Sequence, residues 1–270
     1  MPEQVWSQPT GNNLVRKGNE LFLGSGVGIW SFDTIKRTWK QMPGAPLINA
    51  NLQVRAANEK AVWLTGNPNF GGQTFVIRFD RKTSTWTRWT EAEGLPVISG
   101  WEQVVSDGTS CWALDGFGKL FHLNLKTDRW ENVSMSQGNE KNPILFSQIV
   151  TDGKWVWLQM KLNRNVPEGE KNPFRTGMIA RYDVETGSFE AFSPDPAHKY
   201  FSHRLEIDKE AAWVATSDGL FRFDKGSLSW KESLIPPALS GVKAYEILHI
   251  ERRNKELWLI GKDSTIRMEL

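Results

Sequence analysis

The chain has a single cysteine, Cys111, and no long hydrophobic run. One cysteine excludes an internal disulfide and any zinc site built from several cysteines. The apolar stretches, of which 144–146 is one, are only a few residues long, whereas a membrane-spanning helix needs roughly 20. The sequence therefore predicts no membrane span. It also leaves Cys111, which directly precedes Trp112, as a buried apolar residue rather than a nucleophile.

An excess of charge of one sign is also missing, since 33 Lys and Arg are balanced by 31 Asp and Glu. A nucleic-acid-binding domain usually carries a strong basic surplus, so we expect no nucleic-acid partner. The four histidines show neither a His-x-His nor a His-Glu-x-x-His spacing. The sequence therefore offers no motif for a zinc hydrolase, and we expect neither a metal nor a cofactor.

Tryptophan, in contrast, is abundant, with 14 copies at recurring positions. One aromatic residue marks each repeat, and successive copies are 41 to 56 residues apart. These aromatics are Phe22, Trp63, Trp112, Trp157, Trp213 and Trp258. We expect them to pack between neighbouring sheets, where each ring buries on the order of 150–250 Å². Six units of roughly 45 residues, with short alternating segments and turns rich in Gly, Pro, Asn and Ser, predict a β-propeller.

The predicted fold is an all-β, six-bladed β-propeller with four antiparallel strands per blade, forming one domain over 1–270. No segment sustains an apolar period of 3.6 residues, which argues against amphipathic helices. The last repeat lacks a fourth strand, and Val5-Trp6-Ser7 resembles Thr85-Trp86-Thr87, so we expect the N-terminal strand to complete the last blade. Closure of this kind would remove two open sheet edges. The predicted blades are 8–42, 43–90, 91–133, 134–192, 193–233, and 234–270 together with 3–7.

The repeats resemble a known family over all six units, less closely in the first and the sixth, and two repeats show it best. The run Glu93-Gly94-Leu95-Pro96, followed by Asp107-Gly108, Trp112 and Trp130, is similar to the two-component regulator propeller repeat, as is the run from Trp213 to Asp224. In that family the propeller is an extracytoplasmic sensor or interaction domain. The resemblance implies an exported protein if the chain is a domain of such a sensor, whereas a native start at Met1 would imply a cytoplasmic one.

A weaker resemblance concerns the segment 105–121, which is similar to a tectonin repeat, known from sugar-binding propellers. Tectonin repeats are shorter than these units. The resemblance implies carbohydrate binding.

Candidate ligand-binding residues are the polar and aromatic side chains at the entry to each first strand, because propeller ligands usually lie over the axis on that face. They are Asn13, Gln53, Trp101, Glu102, Gln103, Gln148, His203, Arg204, Tyr245 and Glu246. Amide and guanidinium groups can hydrogen-bond a polar ligand. A water-filled axial channel with polar walls is the alternative interpretation.

Two long loops are predicted to border the same face. The larger is 161–176 in the fourth repeat, and the smaller is 67–72 in the second. A loop this long inside a compact repeat is often a binding element, so we expect Lys161, Arg164 and Phe174 to contact ligand.

The function that these residues favour is non-catalytic recognition of a glycan, peptide or small molecule. An alternative is a polysaccharide lyase or hydrolase in which Glu102 and Glu246 act as acid and base. A further alternative is a protein-interaction scaffold without a small-molecule pocket.

Overall fold

The fold is taken from a computed structural model. It describes residues 14–25, 28–44, 50–68, 74–96, 101–108, 110–125, 127–133, 145–160, 178–195, 202–216, 219–231, 247–253, 255–261 and 265–269. The regular structure in these ranges is β-strand, apart from one short 3-10 turn at Glu91–Glu93. The prediction of an all-β chain is confirmed. Within the same ranges, no helix has the length and apolarity needed to cross a membrane.

The chain divides into two compact units, residues 1–133 and 134–270. The first unit contains three antiparallel sheets of four strands, paired in chain order. Its strands are β1 (Leu14–Lys17), β2 (Glu20–Ser25), β3 (Gly28–Asp33), β4 (Thr38–Gln41), β5 (Ala50–Ala57), β6 (Ala61–Pro68), β7 (Phe75–Asp80), β8 (Thr85–Trp89), β9 (Trp101–Ser106), β10 (Cys111–Asp115), β11 (Leu120–Asn124) and β12 (Arg129–Val133). The first strands of successive sheets lie against each other, β1 against β5 and β5 against β9.

The second unit repeats this organisation in two sheets of four strands and one of three. Its strands are β13 (Phe146–Thr151), β14 (Trp155–Met160), β15 (Ile179–Asp183), β16 (Phe189–Phe192), β17 (Ser202–Ile207), β18 (Ala211–Thr216), β19 (Gly219–Asp224), β20 (Ser229–Lys231), β21 (Ile247–Arg253), β22 (Glu256–Gly261) and β23 (Thr265–Glu269). Here β17 contacts β13 on one side and β21 on the other.

The six sheets fall inside the six predicted repeats, and five of them show all four predicted strands. In the sixth sheet, β23 pairs with β22 alone among the residues that the structure describes. The segment 3–7, predicted to pair with β23, lies outside the described residues. Closure of the last blade by the N-terminal strand therefore stays a prediction.

An acidic or amide side chain organises the hairpin between the third and fourth strands. In the second sheet, Oδ1 of Asp80 accepts hydrogen bonds from the backbone N–H groups of Lys82 at 2.9 Å and Thr83 at 3.0 Å. The equivalent residues in the other four-stranded sheets are Asp33, Asn124, Asp183 and Asp224. Backbone hydrogen bonds of this kind hold the pKa of the four aspartates below its ordinary value. The same turn chemistry thus sets this hairpin in each of the five four-stranded sheets.

The aromatic residue of the second strand forms the core between sheets, as predicted. Trp63 is 2% exposed and packs with Val104, Cys111 and Phe121 of the following sheet. Trp157 lies between the fourth and fifth sheets with Leu205 and Phe223. Because each of these two rings contacts both its own sheet and the next, it holds two neighbouring sheets of its unit together.

A cation lies opposite this aromatic on the third strand. Arg78 is the register partner of Trp63, and its guanidinium lies 5.9 Å from the indole centroid. Arg222 and Trp213 repeat the arrangement at 5.7 Å. In the third sheet the position is His122, which stacks on Trp112 at 4.1 Å. Cross-strand pairs of this kind stabilise the sheet beyond the burial of the ring.

Candidate functional site

The sequence-predicted ligand residues fall into three groups. Gln53, Gln103, Gln148 and Arg204 lie near the beginning of the first strands β5, β9, β13 and β17. Trp101, Glu102 and His203 lie in β9 and β17, where the structure defines their backbone positions. Asn13, Lys161, Arg164, Phe174, Tyr245 and Glu246 lie outside the described residues.

A β-bulge recurs at the start of the first strands. In four of the six sheets the strand register skips one residue there, and each skipped residue precedes the aromatic of its repeat by the same interval. The skipped residues are Glu102, Ser147, His203 and Leu248. A bulge leaves its extra residue unpaired in the ladder and bends the strand, and bulges are common next to binding sites. Two predicted ligand residues, Glu102 and His203, therefore occupy bulge positions.

The side chain of Gln148 joins two sheets. Its Nε2 donates to the carbonyl of Leu205 at 2.7 Å, and its Oε1 accepts from the N–H of Leu205 at 2.9 Å. The amide thus pairs with β17 as a strand backbone would, and it places Gln148 beside the residue that follows Arg204. This structural role was not expected from the sequence.

The structure also contains a cleft at the opposite ends of these strands. This hairpin cleft has a volume of about 520 Å³ and lies between the β13–β14 and β17–β18 hairpins. Its lining residues are Thr151, Asp152, Lys154, Trp155, Ile207, Asp208, Lys209 and Lys225.

Lys225, one of the lining residues, connects the two hairpins of the cleft. Nζ of Lys225 forms an ion pair with the carboxylate of Asp152 in the preceding sheet and donates to the carbonyl of Asp208 at 3.0 Å. The ammonium also lies 5.5 Å from the centroid of Trp157. Burial would raise the pKa of Asp152, but the hydrogen bonds from Lys225, the Trp155 N–H and the Trp157 indole outweigh it and lower that pKa.

The two carboxylates of the cleft are bound to their own hairpins. Oδ1 of Asp208 accepts from the N–H groups of Glu210 at 2.7 Å and Ala211 at 2.9 Å, and Oδ2 accepts from Trp213 Nε1 at 2.8 Å. Asp152 likewise accepts from the Trp155 N–H at 3.0 Å and from Trp157 Nε1 at 3.2 Å. These carboxylates hold turns and indoles in place, so they are poorly suited to act as a general acid and base.

Trp155 is the large apolar surface in the cleft. Its ring is half-buried, and the guanidinium of Arg181 lies 4.1 Å from the ring centroid. Glu190 fixes Arg181 through bonds to Nε at 3.0 Å and Nη2 at 2.7 Å. Nζ of Lys154 lies 5.2 Å from the same centroid. The indole is therefore held by cations while the cleft exposes part of its surface.

The position of Trp155 differs from the other repeats. Two residues before the repeat aromatic, three sheets have a small residue and two have a glutamate. These residues are Ala61, Ser110, Ala211, Glu20 and Glu256. The repeat pattern selects Trp157 as its marker and assigns no role to Trp155. The signal that could have identified Trp155 is the second tryptophan in Trp155-Val156-Trp157, which the other repeats lack.

Metal and nucleophilic chemistry find no support in the part of the chain that the structure describes. No group of three His, Cys, Asp or Glu side chains there is arranged to hold a metal ion. Cys111 is buried, as predicted, and burial raises the pKa of its thiol. A buried thiol with a raised pKa is a poor nucleophile.

Comparison with known proteins shows similarity at the level of fold. No protein-family model matches the chain, and no curated protein matches it. The extracellular domain of BT4673 from B. thetaiotaomicron is similar in two solved structures, where the protein is described as a one component system and as a hybrid two component system. Both give a TM-score of 0.63 at 14% identity, and they cover 95% and 98% of this chain but 32% and 34% of the other.

Two further structures are less similar. The GH74 enzyme of Niastella koreensis gives a TM-score of 0.56 at 14% identity, covering 86% of this chain and 37% of the enzyme. The computationally designed protein Ika8 gives 0.51 at 11% identity, covering 96% and 83%. The chain thus spans about a third of the length of the natural proteins it resembles. These likenesses show a shared all-β, propeller-like fold.

Proposed function

We propose that the chain is a non-catalytic recognition module that binds a polar ligand where its first strands begin. The observation that carries the proposal is the recurring β-bulge, because it falls on Glu102 and His203, two residues predicted from sequence to contact ligand. A recurrent bulge gives several sheets the same local distortion at the start of their first strands.

The polar residues next to the bulges support a binding site at the start of the first strands. Gln103 follows Glu102 in β9, Arg204 follows His203 in β17, and Gln53 lies in β5, which contacts β9. Amides and a guanidinium suit a glycan, a peptide or a small polar molecule. The remaining proposed contacts are Asn13, Trp101, Gln148, Tyr245 and Glu246, with Arg164 and Phe174 from the long loop.

The proposal includes a closed ring of six blades over 1–270, with residues 3–7 pairing with β23. It is supported by the match of Val5-Trp6-Ser7 to the fourth strands and by the outer edge of β23, which has no partner among the described residues. Deleting residues 1–7 should lower the unfolding temperature, since it would expose a sheet edge. An unchanged unfolding temperature would contradict closure.

Recognition fits the described chemistry better than catalysis does. The carboxylates of the hairpin cleft are engaged by backbone and indole donors, and the thiol of Cys111 is buried. Two solved structures of similar fold are extracellular domains of one- or two-component systems. Their role supports a binding function for this chain, with either a small ligand or a protein as partner.

A glycan array and a peptide array probed with the purified chain test the proposal. We expect binding to one ligand class, and we expect Glu102→Gln and Arg204→Ala each to weaken it by about tenfold, the effect of losing one charge-assisted hydrogen bond. Lys82→Ala, an exposed turn residue, serves as the matched control. Binding that is equal in all four proteins, or no binding on either array, would refute the proposed site.

The second candidate function is polysaccharide cleavage, which the likeness to the GH74 enzyme brings into consideration. Incubation with polysaccharides and an assay for new reducing ends or unsaturated products tests it. If activity is found, Glu102→Gln and Glu246→Gln should each abolish it. Activity that survives both substitutions would exclude this pair as the acid and base.

A further inference from the structure

We propose that the hairpin cleft is a second ligand site, which takes a small organic anion with a ring-shaped body. The site lies at the ends of β13 and β17, opposite to the strand starts that carry the proposed function. It is independent of that function, because no residue is shared between the two sites.

The cleft exists because the fourth sheet departs from the repeat. In the second sheet, Nζ of Lys60 reaches the next hairpin and donates to the carbonyl of Gly108 at 3.1 Å, and Nδ2 of Asn58 bonds Ser106 Oγ at 3.2 Å. Lys154 occupies the position of Lys60, but its ammonium lies over the ring of Trp155 instead. Lys154 therefore does not link the fourth and fifth sheets as Lys60 links the second and third, and the space beside the Lys225–Asp152 ion pair stays open as the cleft.

Two ammonium groups of the cleft are available to a ligand. Lys154 and Lys209 are exposed. Lys209 makes no hydrogen bond or ion pair with any part of the chain that the structure describes, and the contact of Lys154 there is with the Trp155 ring. Lys225, in contrast, is paired with Asp152. An anion can therefore bind Lys154 and Lys209 without breaking an ion pair.

The nearby carboxylates do not neutralise these lysines by direct contact. Asp152 and Asp208 accept from turn N–H groups and indoles, as described above. Asp183 accepts from the N–H groups of Glu185 at 2.8 Å and Thr186 at 3.1 Å. Its pKa is lowered first by Thr186, and Lys154 contributes through a longer-range charge interaction. The carboxylates are thus bound to their own turns, and the two ammonium groups remain free for a ligand.

The size and the aromatic surface define the rest of the ligand. A volume of about 520 Å³ suits a small molecule, and pockets of this class place a few polar groups beside an apolar surface. Trp155 offers that surface, and Arg181 with Glu190 holds its ring in place. A ring that packs on Trp155 while its carboxylate contacts Lys154 and Lys209 would use the aromatic surface and both exposed ammonium groups of the cleft.

A panel of small probes tests separately whether the ligand needs a ring and whether it needs a negative charge. Glucuronate and benzoate carry both a ring and a carboxylate, glucose and benzamide carry a ring alone, and acetate and inorganic phosphate are anions without a ring. Binding to the full chain is measured by isothermal titration calorimetry and by saturation-transfer NMR. We expect a ring-bearing anion to bind more tightly than the other four probes, with an affinity that falls as salt is added.

Variants connect the binding to the cleft. Lys209→Gln should lower the affinity for the ring-bearing anion by about two- to fivefold, the effect of losing one exposed charge pair. Trp155→Leu should lower the same affinity by about tenfold. Lys82→Gln removes an equally exposed lysine and should change nothing. Because the Lys209 side chain is exposed and makes no hydrogen bond or ion pair with the described chain, its substitution should leave the fold intact even if Trp155→Leu does not fold.

The alternative outcomes overturn the proposal. If glucose binds as tightly as glucuronate, the charge does not contribute to binding. If acetate binds as tightly as glucuronate or benzoate, the ring does not contribute. Unchanged affinity in Lys209→Gln would place the anion elsewhere, and absence of binding by all probes would leave the cleft without a ligand. Each of these results is separate from the array experiment, in which Glu102 and Arg204 are tested.

Discussion

The indole Nε1 of Trp213 donates a 2.8 Å hydrogen bond to the carboxylate of Asp208, five residues earlier in the chain. Trp157 and Asp152 repeat the relationship at 3.2 Å. In the third sheet Ser110 stands between the partners: Trp112 donates to its Oγ at 3.0 Å, and that Oγ donates to Asp107 at 2.9 Å. In the third, fourth and fifth sheets the bond therefore links the first hairpin to the core tryptophan of its own sheet.

Replacing Asp208 with Asn should leave this donor without an acceptor. The amide oxygen of Asp208→Asn can keep the turn bonds to Glu210 and Ala211, but its NH₂ group would face Trp213 Nε1. The second sheet shows this outcome naturally, because the position is Asn58 and the buried Nε1 of Trp63 has no partner. We expect a loss of about 1–3 kcal/mol in the free energy of unfolding, the usual cost of a buried unsatisfied donor.

A double-mutant cycle, with each variant unfolded in urea, measures how much of this loss comes from the indole donor. In a Trp213→Phe background there is no indole donor, so Asp208→Asn should cost clearly less. An equal cost in both backgrounds would mean that the substitution acts through the turn and not through the indole.

A second prediction concerns the residue with positive φ in the hairpins between third and fourth strands. It lies four residues after the turn-organising Asp or Asn, and it is Arg37, Ser84, Asp128, Gly187 or Leu228. Side chains with a Cβ adopt this conformation at a cost of roughly 1–2 kcal/mol. Ser84 has φ 56° and an exposed, small side chain, so Ser84→Gly removes strain and little buried surface.

We expect Ser84→Gly to raise the free energy of unfolding by about 1 kcal/mol. Gly187→Ala, at the same repeat position with φ 71°, should lower it by a similar amount. Chemical denaturation of both variants checks the pair. A stabilising Gly187→Ala would show that the left-handed conformation is not the determinant.

The parts of the fold that sequence predicted correctly are those set by short-range chemistry. The interval between Asp80 and Ser84, or between Asp208 and Trp213, is fixed by one turn and one strand, so it recurs in the sequence wherever the hairpin recurs. The aromatic marker recurs for a different reason, because Trp63 and Trp157, at the same repeat position, each pack a large ring against the following sheet.

The cleft and the Gln148 bond were not predictable in this way. Lys225 and Asp152 are 73 residues apart, and Gln148 and Leu205 are 57 apart. Such pairs depend on how two sheets face each other. Nothing in the sequence around one residue of the pair identifies the other residue as its partner. Glu102 and His203 illustrate the intermediate case, since their position at a strand start was predicted while the bulge that contains them was not.

A third prediction concerns Gly66, which lies opposite Phe75 in the β6–β7 ladder. A Cβ added at Gly66 would lie 2.0 Å from Cζ of Phe75, whose ring covers the glycine. Gly66→Ala must therefore displace a fully buried ring, and we expect it to cost about 1–3 kcal/mol, as overpacked core substitutions do.

The combination with Phe75→Leu tests the cause. A smaller side chain makes room for the new methyl group, so the double variant should lose less stability than the sum of the two single variants. At Gly24 the nearest atom to an added Cβ is the backbone carbonyl oxygen of Leu52, at 2.5 Å. Gly24→Ala should therefore be destabilising without any such rescue, and a mild effect would contradict the close approach of β2 and β5.

The ion pair on the cleft floor predicts how stability depends on pH. The pKa of Asp152 in the folded chain is below its ordinary value of 3.8. A lowered folded pKa contributes stability that is complete above the unfolded value and is lost as the pH falls through the folded one. Lys225→Met keeps the apolar stem against Trp157 and removes the charge, so at neutral pH we expect a loss of about 2 kcal/mol.

That loss should shrink as the pH falls below 3.8, because protonation of Asp152 removes the partner that Lys225 binds. Urea unfolding of the wild type and of Lys225→Met, at neutral pH and at about pH 3, gives the two differences to compare. Lys82→Met, an exposed turn substitution, corrects for the general effect of removing a positive charge. A difference that stays constant across this range would show that Lys225 stabilises the fold by packing alone, and that the charge of Asp152 is balanced by its N–H donors.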